Sequence, residues 1–195
     1  MLRAILALLV ALYIVHHMLF GPIRPPDGLL APREPVQQEV ADGPRWQIRD
    51  YDLHALARYD IEARVLGTER YRFDRESQLS PIDFAVGWGP MSTNAVLDTL
   101  DISQHGRFFF WQTDTEPLID PGEIVRHAAN MHLIPAADEI QSQLFAVRTG
   151  QVVTLRGWLV EVHGADGFRW KSSLSRGDTE GGACELMLVE SVSVR

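Results

Sequence analysis

A single cysteine, Cys184, is all the thiol chemistry that the 195-residue chain carries. That excludes an internal disulfide and a zinc site built from several cysteines. Positive charge is also short: 18 lysines and arginines face 26 acids, a formal net charge of −8, spread without a strong block. Whole-chain electrostatics therefore disfavour nucleic acid as a partner. There is no internal repeat, no G-x-S-x-G elbow around a serine, and no H-x3-H or C-x2-C pair to offer two metal ligands from one element. No metal and no cofactor are expected on that basis. What is present is 46% apolar residues, enough for one packed domain plus an appendage.

The appendage is N-terminal. In AILALLVALYIVHHMLF, residues 4–20, only His16 and His17 interrupt the apolar run, which as a helix would be about 26 Å long. It reads as an uncleaved transmembrane signal-anchor, because no A-x-A cleavage site follows the apolar stretch 4–15. Arg3 on one side against Arg24 and Arg33 on the other leaves orientation to the short N-terminal tail, which favours an exported domain. Residues 21–44, GPIRPPDGLLAPREPVQQEVADGP, are proline-rich and aperiodic and read as a tether. The expected organisation is an anchor over 1–20, a tether over 21–44 and a globular domain over 45–195.

Within that domain, residues 59–73 alternate as a strand or hairpin with a bend or bulge at Gly67. Ser80, Pro81 and Asp83 have the grammar of a helix start over SPIDFAV, and Ser92 or Thr93 can cap a second short helix. The aromatic stretch 107–113 is strand-like. Asp120, Pro121 and Glu123 open a third helix whose face carries Ile124, Ala128 and Met131, and Pro135 forces HLIP out of it. A helix with Ile140, Leu144 and Val147 buried ends at Gly150, and the rest turns to strands. The expected fold class is α+β: the transmembrane helix, then a mixed domain of short packed helices with a small antiparallel β-barrel in the last 45 residues. That part is similar in pattern to OB-fold sequences, with Gly157 where a bent first strand needs a bulge.

Three strings, GWGPMS (87–92), ANMHLIPA (129–136) and GGACE (181–185), resemble those of a group of bacterial single-pass membrane proteins with no assigned function. The resemblance implies a bacterial inner-membrane protein with its domain in the periplasm, and it implies no mechanism.

The densest polar cluster is HAANMH, 127–132. Glu123 and His127 are four apart on the third helix, so a carboxylate could orient an imidazole. The same spacing describes a histidine ending a helix, with Asn130 suited to the left-handed turn beyond it. His132, in the extended exit, is the more pointed candidate. Its partners would come from KSSLSRGDTEGGACE, 171–185, which holds Ser173, Asp178, Cys184 and Glu185. A metal set of His127, His132 and Cys184 or Asp178 lacks ligand spacing. Arg176, Gly177 and Asp178 spell a tripeptide found in adhesion ligands, a coincidence in a bacterial chain. Trp158 and Trp170 interleave with basic residues as a stacking surface would, although strand alternation puts aromatics and cations on opposite faces.

These observations favour a membrane-anchored, non-catalytic domain that binds a protein or envelope component, with Asn130, Trp158, Trp170, Arg176 and Glu185 as candidate binding residues. A hydrolase built on His127, His132, Ser173 and Asp178 is the alternative. A nucleic-acid-binding OB-like module is the third reading. Nothing in the sequence specifies an oligomeric state.

Overall fold

Apolar and polar side chains alternate from Tyr51 to Val65, interrupted at Leu56, and the apolar set is buried nearly throughout. In the computed structural model, which describes residues 2–175 and 184–195, this stretch belongs to one 20-residue strand. The chain order is α1 (Leu2–Phe20), β1 (Val36–Glu39), β2 (Arg45–Ile48), β3 (Tyr51–Arg70), β4 (Ile82–Gly87), α2 (Asn94–Leu97), β5 (Asp101–His105) and β6 (Phe108–Gln112). It continues with α3 (Pro121–Arg126), β7 (Ala128–Pro135), α4 (Asp138–Ala146), β8 (Val152–Gly164), β9 (Arg169–Lys171) and β10 (Glu185–Val194).

The length of β3 lets it pair twice. Residues 51–64 run antiparallel to β8, and residues 64–70 run antiparallel to β4. β4 pairs with β7, β7 with β10 in parallel, and β10 with β8, so the sheet returns to β3 and closes. The stave order is first, second, third, fifth, fourth and back to first, with α4 between third and fourth: the connectivity of an OB barrel. Its interior is filled by Tyr59, Ile61, Ile82, Phe84, Met131, Leu133, Leu155, Leu159 and Met187, and Leu144 of α4 joins the same cluster. A bulge at Leu56 and another at Leu66 bend the long strand.

Several expectations are corrected. The protein is mostly β, with 43% strand against 22% helix, built on one large mixed sheet rather than an α+β arrangement. The barrel is not confined to the last 45 residues and is not antiparallel throughout, since three of its staves come from residues 51–135 and β7–β10 is parallel. SPIDFAV is strand β4 rather than a helix: all six residues of β4 are buried, and pairing on both edges outweighs a local capping signal. The third helix stops at His127, and Ala128 and Met131 belong to β7 instead.

The N-terminal anchor is also corrected. Helix α1 is 19 residues long, about 28 Å, and its uninterrupted apolar part before His16 is only about 18 Å against a hydrocarbon core of about 30 Å. Among the described residues no helix is long and apolar enough to cross a membrane, so the membrane, signal-anchor and single-pass readings do not stand. Residues 21–44 lie along the barrel. Ala31 is fully buried in its core cluster, the Ile23 amide donates to the Thr149 carbonyl at 2.8 Å, and β1 pairs with β3.

Gly157 sits in β8 where a Cβ would overlap the carbonyl oxygen of Leu188 across the ladder. Gly157→Ala is expected to destabilise the protein by about 2 kcal/mol or more, read as a lowered urea midpoint; an unchanged midpoint would contradict the β8–β10 register.

Candidate functional site

Strand alternation sends Ile82 and Phe84 of β4 into the barrel and Asp83 out of it, yet Asp83 is fully buried. Directly across the β4–β7 ladder stands His132, 5% exposed, whose Nδ1 lies 2.8 Å from Asp83 Oδ2. The carboxylate accepts from Nδ1–H and so sets the tautomer. The other ring nitrogen, Nε2, makes no hydrogen bond to a described residue, and the Trp170 ring packs against the imidazole at 5.0 Å.

Arg107 completes the cluster from above. It follows Gly106 in the turn joining β5 to β6, where both residues have positive φ, 58° and 67°, as a two-residue hairpin turn of this hand requires. An arginine in the left-handed region is strained by about 1 kcal/mol, and its contacts explain why it is held there. Nη1 donates to Asp83 Oδ1 at 3.2 Å, Nε and Nη2 donate to the Asp74 carboxylate at 3.1 Å, and Nη2 also reaches the Ser80 carbonyl at 3.2 Å. The guanidinium lies 4.0 Å from the Tyr71 ring centroid, and the Tyr71 hydroxyl accepts the Arg107 amide at 3.0 Å. Asn130 donates to the Arg107 carbonyl at 2.9 Å and accepts from Gln104 at 2.7 Å. Burial, with the Asp83 charge, pushes the Tyr71 phenol up to about 12. Burial alone would raise the Asp74 carboxyl, but the hydrogen bonds and charge of Arg107, helped by Ser77, hold it below its ordinary value.

The residues singled out in the sequence are scattered over the fold. His132 and Asn130 are in this cluster, with Trp170 packed on it and the Cys184 thiol 3.9 Å from both the Asn130 amide and the Arg107 carbonyl. His127 is not: it ends α3, with Nδ1 at 2.9 Å from the Glu123 carbonyl and 3.2 Å from its carboxylate. Five residues of extended chain separate the two histidines by about 16 Å and turn them to opposite faces. Trp158 is at the barrel's side, donating to Glu190 at 3.0 Å beneath Arg58, and Glu185 is buried opposite Met131. Arg176 and Asp178 lie outside the described residues.

Comparison with known protein families, with curated proteins and with solved structures finds no match.

An oriented imidazole can move a proton, but a hydrolase also needs a nucleophile beside it. The Ser173 hydroxyl donates to the Ser175 carbonyl at 3.0 Å, and that of Ser172 donates to the Ser173 carbonyl at 2.8 Å. No hydrogen bond joins either imidazole to Ser173, Cys184 or Glu185 among the described residues. Nor do three His, Cys, Asp or Glu side chains there lie close enough to hold a metal ion. Asp74 and Arg107 were not singled out from sequence, and Asp83 was read only as a first-turn acid of a helix. The available signal was a lone acid inside the apolar run IDFAV and an arginine after the glycine of a strand–turn–strand pattern.

Asp83→Ala, which leaves Arg107 and His132 facing an empty buried site, is expected to lower stability by about 3 kcal/mol or more, measured by urea unfolding. Because the Asp74 carboxyl is depressed in the folded protein, its contribution is complete above its unfolded value near 4 and is lost as pH falls through the lower folded value. Wild-type thermal midpoints should therefore drop below about pH 4 more steeply than those of Arg107→Met; parallel curves would show that the Arg107–Asp74 pair contributes nothing.

Proposed function

We propose that this protein is a non-catalytic binding domain that recognises a protein partner through an aromatic rim carried by the clasped β5–β6 hairpin and the β3–β4 connection. The observation that carries this reading is the exposure of three phenylalanines around the Arg107 clasp. Phe73 is 99% exposed, Phe108 46% and Phe110 42%. Phe73 lies between Tyr71 and Asp74, both of which contact Arg107, and Phe108 follows Arg107 directly. Phe108 and Phe110 have ring centroids 6.3 Å apart, and His105 stacks on Phe110 at 4.4 Å.

Clustered exposed aromatics are costly in water and mark interaction surfaces. Here Phe108 and Phe110 are displayed by the β5–β6 hairpin and Phe73 by the β3–β4 connection, both of which the Arg107 cluster holds, and that lowers the ordering cost of association. The inner side of the same hairpin, Ile102, Phe109 and Trp111, packs over Ala85 of β4. It therefore covers part of the face of the second and third staves that OB barrels use for nucleic acid. With a net charge of −8, this supports a protein partner over a nucleic acid.

The test is site-specific photo-crosslinking in cells that make the protein, with a benzophenone side chain at position 108. A discrete protein adduct is expected, and it should vanish when Phe73→Ser and Phe110→Ser are added while the thermal midpoint stays within about 2 °C. The reading is overturned if a probe at Arg156 gives the same adduct, or if the serine variants leave it intact.

A further inference from the structure

The outer side of β3 carries a second buried charge, and this one is handled differently. Arg64 is 7% exposed. Its Nη1 donates to the Ser92 carbonyl at 3.3 Å, while its Nε, equally removed from solvent, has no hydrogen-bond partner. No carboxylate forms an ion pair with it among the described residues. The nearest charges are a second cation, Arg24, and the acid Asp98, and Asp98 is already engaged by Arg24 in a two-pronged pair at 2.8 Å. Burial, reinforced by Arg24, works against the charged form of Arg64, yet a guanidinium does not give up its proton in a protein. An unpaired buried cation of this kind is costly unless something else supplies the anion.

Arg64 opens onto a cavity of about 320 Å³. Its lining is mostly apolar, with Leu66, Leu97, Leu100, Ile102 and Ile23, and the one other charged residue in it, Arg24, is neutralised by its pair with Asp98. Ile23 is held in place by its amide bond to Thr149, at 2.8 Å, so the N-terminal segment forms a fixed wall. The cavity thus combines one positive charge without an ion-pair partner, on a guanidinium whose Nη2 makes no hydrogen bond to a described residue, with a largely hydrocarbon lining at the small end of the size range of ligand pockets.

We propose that this pocket binds the carboxylate of a small apolar organic acid, with the Arg64 guanidinium as its anchor and Leu66, Leu97, Leu100 and Ile102 around its tail. A single net charge suits a monoanion, and the planar guanidinium, whose Nη2 makes no hydrogen bond to a described residue and is not sealed from solvent, suits a carboxylate. The carboxylate could belong to a free acid or to the C-terminus of a chain ending in an apolar residue; both present the same chemistry.

The experiment is calorimetric titration of the full chain with sodium octanoate, octanol and octylamine, and with a tripeptide ending in leucine as its acid and as its amide. Saturable one-to-one binding of octanoate or of the peptide acid is expected, roughly ten- to a hundred-fold tighter than that of the alcohol or the amide. Arg64→Met, which keeps the apolar volume, should remove that preference. If that variant does not fold, the wild-type Arg64 Nε–H resonance, followed by NMR, should move and saturate with the added acid. Preference for octanoate over the peptide acid assigns a free acid, and the reverse assigns a chain terminus. The proposal is overturned if alcohol and acid bind alike, if neither carboxylate binds up to about 10 mM, or if the Arg64 resonance stays still on saturation. The aromatic rim plays no part in this titration, so either proposal can fail without the other.

Discussion

A carboxylate buried on the outside of a barrel has to find a cation, and Asp83 finds Arg107. A fully buried carboxylate in β4 is costly unless its charge and lone pairs are compensated. Arg107 provides that only because the hairpin turn puts it in a left-handed conformation directly over Asp83. From this one requirement follow the docking of the β5–β6 hairpin, the capture of Asp74 and Tyr71 from the β3–β4 connection, and the orientation of His132. The cluster therefore locks two loops and one strand face with a single side chain. Breaking a buried pair is far costlier than never having had it, which makes such a clasp specific as well as stable.

The barrel beneath explains why this face needs covering. β3 is long enough to pair with β8 over residues 51–64 and with β4 over residues 64–70, so closure leaves no free edge between the first and fourth staves. The chain between the second and third staves, residues 88–127, then folds back as an insertion: α2, the hairpin and α3 pack Ile102, Phe109, Trp111 and Ile124 over Ala85 and Met91. A surface that in an open OB barrel would face solvent is built over, and what the protein presents instead is the hairpin's far side with its aromatic residues.

Asp83 and Arg64 set out two treatments of the same problem. Asp83 is surrounded by donors from its own chain, and its charge holds the fold together. Arg64 keeps a buried donor without a partner and faces a cavity. Charge left uncompensated by the fold is available for recognition, and this contrast is what separates a structural cluster from a binding one.

Much of the local structure is legible in the sequence, and the physical reason is that it rests on short-range chemistry. Asp120 caps α3 and accepts the Gly122 amide, Thr93 caps α2, α4 buries Leu144, and the aromatic stretch before Thr113 forms β6. Pro135 and the pattern of HLIP mark an extended exit, which sets His132 apart from His127 in the sequence itself. The site itself was not legible. SPIDFAV carries a genuine helix-start signal, overridden because Ile82, Phe84 and Val86 fill a barrel whose other walls lie far away in sequence. Asp83 acquires its role only once β7 brings His132 opposite it, 49 residues later, and the hairpin lays Arg107 above, 24 residues later. Caps, turns and alternation are settled within a few residues of chain, whereas the pairing of a buried charge is settled by which strands become neighbours.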